Sequence, residues 1–122
     1  MTSNLALLYA LLVGATIIFQ IALIAGAPWG HLTQGGANQG PLPPRARAAA
    51  VLSIGVLVLM AGGILSGAGL WPNWPRWASW LALAMTAVSL ILNLITPSAA
   101  ERRLWGPVTA IMFLSALGVM FL

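Results

Sequence analysis

Few residues in this chain can do chemistry. His31, Glu101, Tyr9 and five arginines are its whole acid–base inventory, and cysteine is absent. No serine or threonine stands next to a base in the sequence, so no nucleophile is activated. A lone histidine without a second His, Cys or Asp is a poor metal ligand set. One histidine suffices for an axial ligand to a ring cofactor, but a structural or interfacial role for His31 is preferred. The expectation is therefore no enzyme, no metal and no cofactor.

What remains is polar but not acidic or basic. Gln20 and Asn93 are amides set in long apolar runs. Ser79, Ala82, Thr86, Ser89 and Asn93 are spaced 3, 4, 3 and 4 apart, which puts them on one face of a helix. Small and hydroxyl residues on one face let membrane helices approach closely. A packing seam is the preferred reading of this stripe, and the lining of a polar pocket or pathway is the sharper one. An amide in hydrocarbon must find a partner, and Gln20 and Asn93 fall at similar depth, so a contact between them is expected. Gly62, Gly63, Ser66 and Gly67 repeat a spacing of four and form a second small-residue face. That face suits packing within the bundle or between copies of the chain.

The elements that carry these residues follow from composition. The chain has 122 residues, of which 61% are hydrophobic and 5% charged. Soluble domains average about 25% charged residues, so a soluble domain is excluded, along with a disordered tail and a disulfide scaffold. A helix needs roughly 20 apolar residues to cross the hydrocarbon. Four uncharged stretches qualify: 5–27, 48–70, 77–95 and 104–122. Their apolar runs are continuous, not alternating, which favours helices over barrel strands. The fold class expected is all-α, a single membrane domain built as a four-transmembrane-helix bundle, with two loosely similar helical hairpins.

The first span ends in Ala25-Gly26-Ala27, which has the look of a signal-peptide cleavage site. It is read as a retained helix, because no basic residue precedes it and the apolar run is too long. Ser3 or Asn4 is a candidate cap for it, and Gly26 with Pro28 ends it. Pro107 falls inside the fourth pattern, where a kink or a true start is expected. A start near Ala99 would place residues 99–106 at the interface.

Arg45, Arg47, Arg102 and Arg103 share one end of such a bundle, and only Arg76 lies at the other. Positive residues stay cytoplasmic, which places both termini outside. Glu101 is the only acid. Ser98-Ala-Ala-Glu101 fits a capping box. Glu101 with Arg45, Arg47, Arg102 and Arg103 is expected to form an ion cluster that joins the two loops and meets lipid headgroups. Trp71, Trp74, Trp77 and Trp80 recur every third residue. An interfacial belt is expected there, with an aromatic cage for a choline-type cation as the sharper alternative.

Three segments together resemble a known group: Gly26-Ala-Pro-Trp-Gly30, Gly40-Pro-Leu-Pro-Pro44 before an arginine, and Thr96-Pro-Ser98-Ala-Ala-Glu101-Arg-Arg-Leu-Trp105-Gly-Pro107. The chain is similar there to small bacterial four-helix membrane proteins. The resemblance implies a bacterial inner membrane and no particular activity. Small multidrug transporters carry a glutamate in their first span, and residues 5–27 have none. The Asn and paired-Phe pattern of small fluoride channels finds no match on these spans. Proton-coupled transport generally needs an intramembrane ionisable group, and the expected spans lack one. By elimination, an accessory or scaffolding subunit is the leading expectation. A small uncoupled channel, transporter, or lipid- or ligand-binding protein is the alternative. Expected partners are membrane lipids and another membrane protein or a second copy, not nucleic acid.

Overall fold

A computed structural model describes all residues, 1–122. Four long helices carry the chain: α1 (Thr2–Ile24), α2 (Pro44–Gly67), α3 (Arg76–Ile95) and α4 (Ala99–Phe121). Each is long and apolar enough to span a membrane. Consecutive helices pack on one another, and α4 returns to α1, so the bundle closes. The protein is an integral membrane four-helix bundle. Two short 3₁₀ turns, Gly30–Leu32 and Gln34–Gly36, lie in the connection between α1 and α2.

Local chemistry sets the ends. At the end of α1, Gly26 has φ +105° and donates to Leu23, while Ala27 donates to Ala22. At the end of α2, Gly69 has φ +78° and donates to Ser66, while Leu70 donates to Leu65. Both are Schellman endings, which need a residue that enters the left-handed region without a Cβ penalty. Pro44 occupies the first position of α2, where a missing N–H is harmless. Ser98 caps α4, its hydroxyl accepting from the Glu101 N–H.

Three helices start ahead of their apolar runs, α2 and α4 at the proline and Ser98 start signals that precede those runs. α1 starts at Thr2, so Ser3 and Asn4 lie inside it and Met1 is its cap. α2 starts at Pro44, ahead of its apolar run, and takes Arg45 and Arg47 into its first turns. α4 starts at Ala99 and runs through Pro107, so Glu101 belongs to a helix and not to a loop.

The bundle has a packed half and a hollow half. In the half that holds both chain termini, Ala6, Tyr9, Val13, Ile64, Ala82, Leu83, Ala116, Val119 and Met120 form one buried core. Gly63 sits there against the backbone of Ala78, Gly67 against Met120, and Gly62 against the ring of Trp74. The small-residue face of α2 is thus covered inside the chain by α3, α4 and the second loop. Its glycines do not form an open face for another copy. At the other end, Leu23, Leu42, Ala46 and Ala50 make a small second core at one corner.

Candidate functional site

The hollow half contains a cavity of about 650 Å³, walled by all four helices and by residues of the first loop. From α1 come Thr16 and Gln20. α2 supplies Ser53, Val56, Leu57 and Met60; α3 supplies Ser89 and Asn93; α4 supplies Glu101, Trp105, Thr109 and Met112. The loop roof is Leu32, Thr33, Gln34 and Gly35.

Its polar groups are sorted by type with depth, with Leu32, Leu92, Ile95 and Pro97 standing among them at the loop end. Glu101 is the third residue of α4, Gln20 stands four residues from the end of α1, and Asn93 two from the end of α3. These groups ring the loop end. Thr16 lies four residues deeper than Gln20 and Thr109 eight deeper than Glu101, or about 6 and 12 Å at 1.5 Å per residue, and Ser53 stands nine residues beyond Pro44. Met60 and Met112 are buried in the packed core and also face the cavity, so they form its floor. On the α2–α3 side the wall includes Leu52 and Ile95, which are 71% and 69% exposed. These two outward-facing residues form its rim on that side.

Four long-range hydrogen bonds hold the roof. Gln34 donates its side-chain amide to the Ala46 carbonyl at 2.9 Å. The Gly35 N–H donates to a Glu101 carboxylate oxygen at 3.1 Å. Ser98 donates to the His31 carbonyl at 2.6 Å, and the Trp105 indole N–H to the Leu32 carbonyl at 3.0 Å. Phe19 packs edge-on against Trp105 and stacks on Trp29, which ties α1 to the same corner.

The expected ion cluster takes a different form. Glu101 is buried, and its hydrogen bond goes to the loop backbone instead of an arginine. Arg102 donates to the Thr96 carbonyl at 3.0 Å, and Arg47 to the Leu42 carbonyl at 2.8 Å. Arg45 and Arg103 are exposed. The reason is geometric. Glu101 points inward from the first turn of α4, where a backbone N–H meets it, while the arginines find uncapped carbonyls nearby. Only half of the capping box forms, because the Ser98 N–H bonds the Thr96 hydroxyl and frees Glu101 for the loop.

The α3 stripe is divided between the two halves. Ser79 donates to the Gly63 carbonyl across the α2–α3 contact at 2.7 Å. Thr86 meets the Tyr9 hydroxyl at 2.6 Å and donates to the Ala82 carbonyl at 2.7 Å. Both are buried seam residues. Ser89 and Asn93 line the cavity. The expected Gln20–Asn93 contact is replaced by a shared cavity wall: Asn93 donates to the Ser89 carbonyl of its own helix at 2.8 Å.

The tryptophan run is also divided. Trp71 and Trp77 are exposed at 83% and 68%. Trp80 lies under the Arg76 guanidinium and edge-on to Phe121. Trp74 turns inward over Gly62, while its backbone N–H donates to Ser66 at 2.9 Å. Trp74 and Trp77 border one apolar pocket of about 360 Å³ with Leu59 and Leu81, and Trp71 and Trp80 are not part of its lining. Sequence reasoning missed Thr16, Ser53, Thr109 and the roof residues Thr33 and Gln34. Thr16 stands four residues before Gln20 on one helix face, but nothing in the spacing links that pair to Ser53, Thr109 or the roof, and only the fold brings them together. Comparison with protein-family models, curated proteins and solved structures gives no match.

Proposed function

We propose that this protein is a membrane-embedded binding protein for a small amphiphile, which enters from the bilayer between α2 and α3. One observation carries this: a cavity whose lining runs from a carboxylate and amides, through hydroxyls, to a methionine floor. A volume of about 650 Å³ suits a drug-sized molecule. That order matches a molecule with one polar and one apolar end. Beyond the floor the core is filled, which favours binding over passage through the bundle. The accessory-subunit expectation came by elimination, and the Gly62–Gly67 face that could have supported it packs within the chain.

The arginine distribution supports an orientation with the cavity end cytoplasmic and both termini outside. A bacterial inner membrane is proposed on the resemblance of the loop motifs alone. Native mass spectrometry of protein released gently from its own membrane tests the reading. The wild type is expected to retain an added mass of a few hundred daltons, on the scale of a drug-sized ligand. Leu57→Trp, which places a ring in the cavity, should emerge without it. Identical bound masses for the two proteins would overturn the proposal. The same spectra read association with a second copy or another membrane protein.

A further inference from the structure

We infer that the cavity selects an amphiphile whose headgroup is a protonated amine, bound through its N–H donors. This rests on the binding reading above and names the ligand class for that site.

Several lining donors are already spent within the chain, while the hydroxyls of Ser89 and Thr33 and amide N–H groups of Gln20 and Asn93 stay free; the lining's charge, however, is negative alone. Thr16 donates its only hydroxyl hydrogen to the Leu12 carbonyl at 2.9 Å, and Ser53 donates to Ala49 at 3.0 Å. Thr109 donates to Trp105 at 2.7 Å, with Gly106 as a second acceptor. The indole N–H of Trp105 is taken by Leu32. A hydroxyl that has donated its hydrogen faces a ligand as an acceptor alone. Asn93 turns its amide nitrogen toward Ser89, which leaves its oxygen for the cavity. Gln20 can present either end of its amide.

The one charged group in the lining is Glu101. One of its oxygens holds the Gly35 N–H. Every buried polar side-chain atom has a partner within the chain. The second carboxylate oxygen has none, so it is open to a molecule in the cavity. The arginines stand outside the lining: Arg102 and Arg47 are held by backbone carbonyls, and Arg45 and Arg103 are exposed. An anionic headgroup would meet a carboxylate and carbonyl-type oxygens with no cation to answer it. A neutral alcohol brings one donor. An alkylammonium brings up to three donors and a charge that a partly desolvated carboxylate favours.

The probes are four single-chain amphiphiles of equal length: dodecylamine at pH 7, dodecyltrimethylammonium, dodecanol and dodecanoate. Binding is read in phosphatidylcholine nanodiscs from quenching of tryptophan emission, since Trp105 lines the site. Each ligand is compared between wild type and variant at the same mole fraction, so membrane partitioning cancels. A hydrogen bond to a charged group contributes about 1.5–3 kcal/mol, so dodecylammonium should bind at least about tenfold more tightly than dodecanol. The trimethylammonium, which has charge but no N–H, should fall between them. Glu101→Gln keeps an oxygen for Gly35 and leaves the Ser98 cap intact. It should bring amine and alcohol within about twofold of each other. Asn93→Leu should weaken the amine selectively by a smaller factor.

Failure of all four ligands to bind would sink the binding reading itself. Equal binding of amine and alcohol, an advantage for dodecanoate, or an unaltered amine preference in Glu101→Gln would sink the headgroup assignment and leave the cavity reading standing. A lipid ethanolamine headgroup carries the same N–H donors. Displacement of dodecylammonium by phosphatidylethanolamine at equal mole fraction identifies the lipid as the source, and retention identifies the free amine; both outcomes support the donor class.

Discussion

The hydrogen bond between Tyr9 and Thr86 has a direction that can be tested. Thr86 owns one hydroxyl hydrogen and donates it to the Ala82 carbonyl at 2.7 Å. The 2.6 Å contact must then run from the Tyr9 hydroxyl to Thr86. The two partners are therefore unequal. Tyr9→Phe removes the donor and leaves Thr86 bonded to its own helix. Buried side-chain hydrogen bonds between membrane helices average about 0.6 kcal/mol, so the loss should be near that value. Thr86→Val removes the acceptor and leaves a phenol donor stranded in a core of Val13, Ile64, Ala82 and Met112. A buried unsatisfied donor costs about 1–3 kcal/mol. The double variant has no stranded group and should return toward the smaller cost, so the second substitution rescues the first. Unfolding of the purified protein in bicelles, followed as a double-mutant cycle, measures all three. If Thr86→Val is no worse than Tyr9→Phe, or if the two costs simply add, the assigned direction is wrong.

Three further outcomes are expected. A Cβ at Gly63 would lie 2.7 Å from the Ala78 carbonyl oxygen and 2.8 Å from the Ala82 Cβ, whereas one at Gly14 meets nothing within 4 Å. Gly63→Ala should cost about 1–3 kcal/mol and Gly14→Ala should be neutral or mildly stabilising, read by the same unfolding assay. Ser98→Ala removes both the cap at Glu101 and the bond to the His31 carbonyl, at a local cost of about 1–2 kcal/mol. Amide exchange should quicken at residues 30–36 and not around Tyr9; a uniform change would refute the roof as a separate unit. Because the chain has no cysteine, Asn73→Cys and Gln39→Cys are clean reporters of sidedness. An impermeant maleimide should label the former in intact cells and the latter only after permeabilisation, and the reverse pattern would overturn the orientation.

The four helices were legible because hydrocarbon demands long uncharged runs, and 48–70 or 77–95 cannot be read otherwise. Hydropathy alone sets their starts too late. Hydropathy detects Ala48, while Pro44 with its preset φ begins the helix and carries Arg45 and Arg47 inside. The α3 stripe was legible as a stripe but not as two regions. Ser79 and Thr86 pack because Gly63 and Tyr9 stand opposite, and Ser89 and Asn93 border space because nothing of that size faces them. Spacing along one helix carries no information about what lies across from it. Glu101 illustrates the same limit. Its charge among arginines suggested ion pairs, but the α4 start at Ala99 turned it inward to Gly35.

The methionine floor has its own consequence for selectivity. Met60 and Met112 are unbranched, and their side chains adapt to irregular space at small energetic cost. A longer or shorter tail can be accommodated there by rotamer changes alone, with every helix in place. At the opposite end Glu101 and Asn93 are held by hydrogen bonds to the backbone and have less room to adjust. Discrimination should therefore be strict for the headgroup and lenient for chain length, so that a homologous series would be recognised as one ligand.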